Sequence, residues 1–145
     1  MQYDSVLIAT DGSEQATDAA AHASDLAERH DATLHVVFVM DTENPDVGGV
    51  VDAERLRAKL EKRGESALEA VSEVATEYDV ELETALLEGS PFDAVLTYVE
   101  ENDVSVVVVG RRGRSENIRV LLGSTADSIL RHSSVPVLVC PKPSG

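Results

Sequence analysis

The chain has 145 residues, which fits one domain around one core, since domains cluster near roughly 100–150 residues. Its 27 Asp and Glu outweigh 12 Lys and Arg, and a net charge of −15 speaks against sequence-independent nucleic-acid binding, which needs a basic face. No apolar run approaches the roughly 20 residues that span a bilayer, the first residues (Met1-Gln2-Tyr3-Asp4) carry no signal-type pattern, and the one cysteine, Cys140, leaves no internal disulfide, so a cytoplasmic protein is expected.

Apolar runs alternate with helix-period stretches along the chain. Ser5–Thr10 (SVLIAT) reads as a short buried strand. Ser13–His30 follows as a helix with Ala16, Ala19, Ala20, Ala23, Leu26 and Ala27 on one face, small enough to sit close to a sheet. Thr33–Val39 is a second strand. Met40–Asp52, with Pro45, Gly48, Gly49 and several acids, reads as a surface loop. A long helix is expected over Ala53–Tyr78 and a third strand over Val80–Leu87.

Ser90-Pro91-Phe92-Asp93 marks a helix start, with Ser90 as N-cap and Pro91 at the first helical position; that helix is expected to run to Asn102. Ser105–Val109 is the most core-like strand. Gly110–Leu122 reads as irregular or weakly helical, Ser124–His132 as a last helix and Val137–Cys140 as a last strand. Five strands alternating with four helices imply an α/β fold with a parallel sheet covered on both faces. Ligands of such sheets bind beyond the carboxyl ends of the strands. The segments to search are therefore Thr10–Ser13, Val39–Asp41 and Gly110–Thr125.

The last of these carries the strongest pattern. Gly110-Arg111-Arg112-Gly113 ends a strand, and after nine further residues Gly123-Ser124-Thr125 opens a helix. Glycine lets backbone approach a ligand without a Cβ in the way. The first N–H groups of a helix have no partner within it and favour an anion by about 0.3–2 kcal/mol. The Ser124 and Thr125 hydroxyls add donors. Residues 110–119 hold four arginines (Arg111, Arg112, Arg114 and Arg119) against one acid, Glu116, a basic island in a strongly acidic chain. Either feature alone has a plain explanation, a turn with a helix cap or surface ion pairs; together, after a strand, they point to a bound polyanion.

Gly110-x2-Gly113-x9-Gly123-Ser124 resembles the nucleotide-binding motif of universal stress proteins. The similarity runs over the whole chain, through the opening VLIATDGSE, GSPFDAV, VVVVG, LLGSTAD and the closing VPVLVCP. The resemblance implies a Rossmann-like, five-stranded parallel sheet in the order 3-2-1-4-5, with residues 1–145 as one domain and Asp11 facing the same crevice as Gly110. It implies ATP as ligand, with Mg2+. Gly113, Gly123, Ser124 and Thr125 would hold the phosphates, and Gly110 would admit the ribose and α-phosphate. Asp11 would lie on the adenine–ribose side or near a phosphate-bound Mg2+, its plainer role being the N-cap of the first helix. Ala9 and Val39 would line the adenine pocket. Thr10, Met40, Arg111, Arg112 and Arg114 complete the candidate set.

Catalysis of phosphoryl transfer needs a positioned base or water-orienting group. No dedicated one stands out beyond Asp11, so the reading is an ATP-binding stress or signalling sensor with slow or absent hydrolysis. The alternatives are a slow ATPase or phosphotransferase and a binder of another nucleotide, such as a cyclic nucleotide. A related adenylate-forming or pyrophosphatase enzyme would need a Ser-Gly-Gly-type loop that Thr10-Asp11-Gly12-Ser13 does not supply. The four histidines, His22, His30, His35 and His132, show no metal-ligand spacing. The apolar Val135–Cys140, at a sheet edge, would expose a pairing surface; universal stress proteins commonly dimerise there, and a homodimer is expected. The acidic, lysine-poor composition, with Lys59, Lys62 and Lys142 alone, points to a halophilic source.

Overall fold

β-Branched residues at consecutive positions stiffen the backbone into extended runs, and where both faces of such a run are apolar the strand sits inside a parallel sheet. The computed structural model describes residues 1–42, 53–111 and 122–141. Its strands are β1 (Ser5–Thr10), β2 (Thr33–Met40), β3 (Glu81–Glu88), β4 (Val106–Gly110) and β5 (Val137–Cys140). They form one five-stranded sheet in the order β3-β2-β1-β4-β5. Every pairing is parallel, with Ser5 opposite Thr33, Val6 opposite Val106, His35 opposite Glu83 and Gly110 opposite Cys140. The helices are α1 (Glu14–His30), α2 (Ala53–Ala75), α3 (Pro91–Glu101) and α4 (Ser124–His132).

Alternation along the strands divides the core between the two faces of the sheet. Val6, Ile8, Leu34, Val36, Val106 and Val108 pack against the alanine face of α1 and against Val71 and Ala75 of α2. Leu7, Val37, Val107 and Val109 pack on the other face, with Val95 and Val99 of α3 and Ala126 and Ile129 of α4. Five of the six residues expected on the inner face of α1 are buried; Leu26 is only partly so. Where α2 meets β2 and β3, a Cβ on Gly64 would stand 2.5 Å from Leu86 Cδ1 and 2.8 Å from Phe38 Cδ1. Glycine there sets the approach of the helix to the sheet.

Most element ends fall within a residue or so of the sequence expectation. β2 extends to Met40, and β3 and β4 are each displaced by one residue. α2 ends at Ala75 rather than Tyr78. The Thr76 hydroxyl donates to the Glu73 carbonyl at 2.6 Å, the Tyr78 N–H donates to Ala75, and the Asp79 N–H is drawn to the Glu28 carboxylate at 2.6 Å. These bonds turn the chain toward β3.

Candidate functional site

The carboxyl end of β1 is shaped by local side-chain bonds. The Gly12 N–H donates to Thr10 Oγ1 (3.1 Å), and the Ser13 N–H donates to Asp11 Oδ1 (2.9 Å). Gly12 takes φ +84°, a conformation that favours glycine. Ser13 is the N-cap of α1, its Oγ accepting from the Ala16 N–H at 3.2 Å. The capping role considered for Asp11 therefore belongs to Ser13. Asp11 instead ties the turn before the cap, in the manner of an Asx-turn.

β4 ends beside this turn. A Cβ on Gly110 would lie 3.2 Å from the carbonyl carbon and oxygen of Gln15 and 3.4 Å from the Ala16 nitrogen. Gly110 thus has a structural reason to be glycine, the close passage of the first turn of α1, apart from any ligand. The Arg111 N–H donates to the Cys140 carbonyl (2.9 Å), and the Arg111 carbonyl accepts from the Gly123 N–H (2.7 Å). One residue is thereby fastened to the end of β5 and to the start of α4.

Gly123 is the N-cap of α4 and brings no side chain to cap it. It is buried, while Ser124 and Thr125 are exposed at the first turn. The Arg111 Nε is buried and has no hydrogen-bond partner among the described residues. A buried guanidinium N–H of this kind costs free energy until an acceptor reaches it. A helix N-terminus, an arginine and the Asp11 turn are thus gathered at the carboxyl ends of β1 and β4, where the strand order reverses.

The remaining candidates divide. Ala9 and Val39 are partly buried against the core shared with α3 and α4. Thr10 is buried, its hydroxyl engaged by Gly12. The Met40 side chain is buried with Leu60 and Ala67, and its carbonyl accepts from Thr42 and Gly89, both at 3.0 Å. Met40 therefore has little left to offer a ligand. Arg112, Gly113 and Arg114 lie outside the described residues, as do Arg119 and most of the loop expected over Met40–Asp52.

Sequence reasoning did not find a second group of polar residues. His35 of β2 is buried, with Nδ1 2.7 Å from the Tyr98 hydroxyl of α3 and 3.4 Å from Glu83 Oε2 of β3. Burial lowers the His35 pKa from its ordinary 6.5, opposed by the Glu83 charge. Burial, reinforced by Glu83, raises that of Tyr98. Tyr98 also walls a cleft of about 360 Å3 between the end of β3 and α3, which shares no residue with the crevice above. The unbroken apolar pattern around His35 hid it; an ionisable residue inside such a run was the available signal.

Among the described residues no three or more His, Cys, Asp or Glu side chains are placed to hold a metal ion, and no helix is long and apolar enough to cross a membrane. The model of the universal stress protein family matches residues 2–141. The chain is 34% identical over 143 residues to universal stress protein MJ0531 of Methanocaldococcus jannaschii, covering 97% of this chain and 84% of that one. Universal stress protein UspA from Lactobacillus plantarum superposes with a TM-score of 0.82 at 25% identity, over 97% of this chain and 99% of that one. A universal stress protein solved in complex with cAMP superposes with a TM-score of 0.75 at 26% identity, over 96% and 97% of the two chains. Sheet order, element order and family model agree, and the chain belongs to the universal stress protein family.

Proposed function

We propose that the chain binds ATP in the crevice between the ends of β1 and β4 and serves in the cytoplasm as a stress-response sensor, with slow or no hydrolysis. The observation that carries this reading is the bond from the Gly123 N–H to the Arg111 carbonyl, which seats the N-terminus of α4 at the end of β4. The N–H groups of that first turn suit phosphate oxygens. The buried Arg111 Nε suits another anionic acceptor. Gly113, Arg112 and Arg114 enter the reading through sequence alone. Mg2+ fits as an ion carried by the phosphates. Asp11 brings a carboxylate to this place, and one of its oxygens already accepts from the Ser13 N–H.

The cAMP complex of a similar protein supports nucleotide binding in general and favours a second reading, a cyclic nucleotide in the same crevice. Calorimetric titration with ATP and with cAMP, repeated on Gly123→Val, tests both. ATP binding weakened by about tenfold or more in the variant supports the assignment. ATP affinity unchanged in the variant rejects the loop, and cAMP binding alone selects the second reading. Phosphate release per bound ATP measures turnover.

We further propose that residues 1–145 act as one domain, that two copies pair through Val135–Cys140, and that the acidic surface suits a salt-rich interior. The sheet edge supports the pairing: Leu138 is 42% exposed on β5, with Val137 and Val139 partly exposed beside it.

A further inference from the structure

His35 Nδ1 stands between two partners that belong to different elements, Tyr98 on α3 at 2.7 Å and Glu83 on β3 at 3.4 Å. One ring nitrogen cannot serve both in the same way. With its proton on Nε2, a neutral imidazole offers a lone pair at Nδ1; once protonated, it can only donate there. Tyr98 keeps its phenolic proton, since burial raises its pKa, and is the natural donor to the neutral ring. Glu83 is 61% exposed and accepts only.

The geometry points to a proton-operated latch: neutral His35 accepts the Tyr98 hydroxyl and holds α3 to the sheet, while His35 protonated on Nδ1 donates to Glu83 and releases Tyr98. A proton from solvent occupies the lone pair that the phenol had filled, and the phenol turns its own proton elsewhere. Release acts on the wall of the cleft between β3 and α3, because Tyr98 forms part of that wall with Leu87, Ser90 and Thr97.

The surroundings of His35 make Glu83 the deciding charge. β1 presents Leu7 opposite it, which is apolar. β3 presents Glu83 and, two residues earlier, Glu81, which accepts from Thr33 Oγ1 at 3.3 Å. α3 presents Tyr98 and, further along, Glu101 on the cleft. The edge-on rings of His35 and Tyr98, 5.5 Å between centroids, leave the hydroxyl as the polar fastening of α3 at this point. α3 also packs on α4, with Phe92 and His132 5.7 Å apart, so a looser α3 is felt by the helix whose N-terminus faces the crevice.

Hydrogen exchange of the full chain, corrected for intrinsic rates, tests this in steps between two end points, about pH 7.5 and about pH 4.5. In the wild type, protection of the Val95–Val99 amides is expected to fall at the lower pH by about tenfold relative to Ala19–Ala27 of α1, the scale of one lost hydrogen bond. Tyr98→Phe keeps the ring and is expected to show the weaker protection at both pH values. Glu83→Gln keeps the Tyr98 bond and is expected to move the transition to lower pH. Equal protection at both pH values, or the same pH-dependent loss in His35→Gln, overturns the latch. A transition unmoved in Glu83→Gln also overturns it.

Discussion

The position that a Cβ would take on Gly110 lies 3.2 Å from both the carbonyl carbon and the carbonyl oxygen of Gln15. Backbone in the first turn of a helix does not yield as a side-chain tip does, so Gly110→Ala must push α1 away from β4. Overpacking of this kind costs about 1–3 kcal/mol. A melting temperature lowered by about 2–10 °C is the expected outcome. Nucleotide affinity is expected to fall with it, because α1 and the Asp11 turn move together. An unchanged melting temperature would show that α1 is not held there.

Two serines that stand at the N-cap of a helix, Ser13 of α1 and Ser90 of α3, differ in what their side chains do. Ser13 Oγ accepts from the Ala16 N–H, whereas Ser90 makes no side-chain capping bond. Ser13→Ala is expected to cost about 1 kcal/mol in urea unfolding, the usual worth of a satisfied N-cap. Ser90→Ala is expected to cost less than about 0.5 kcal/mol. Equal losses would contradict the difference in capping.

Stability is expected to fall on mild acidification through His35. Its folded-state pKa lies below the ordinary 6.5 because burial disfavours the charged ring. Between the two values the unfolded chain binds more protons, so stability rises with pH across that interval. The contribution is complete above about pH 6.5 and is lost as pH falls through the lowered folded value. Unfolding free energies of wild type and His35→Gln, measured side by side at several pH values, isolate it. The wild type is expected to lose ground to the variant in acid, and a constant difference would remove His35 as the cause.

On the β5 edge, Leu138→Arg is expected to turn a dimer into a monomer by light scattering. The measurement belongs at about 1 M salt, where the Debye length of about 3 Å screens the acidic surface. A wild type that is monomeric under those conditions would end the pairing proposal.

The element order was legible because the local signals agree with the fold. Apolar runs marked β1, β2 and β4, and the alanine face marked α1. The strand order came from the resemblance, since no local pattern says which strands are neighbours. Gly110 was legible as important, but its contact with Gln15 depends on how two elements pack. Asp11 and Ser13 both suit an N-cap by residue type, and the φ of +84° at Gly12 sets the turn in which Asp11 receives Ser13. His35 and Tyr98 are 63 residues apart, and nothing in either segment names the other.

The two borders of the sheet differ in kind. β3 ends it with Glu81, Glu83 and Glu88 exposed around Leu82, and β5 ends it with Leu138 exposed and no carboxylate of its own. A second sheet that joins at β5 turns its own carboxylate border outward, and like charges then discourage a third. If two copies pair at β5 as proposed, the molecule has a valency of one: association along the sheet is expected to stop at two copies rather than run on into a fibre.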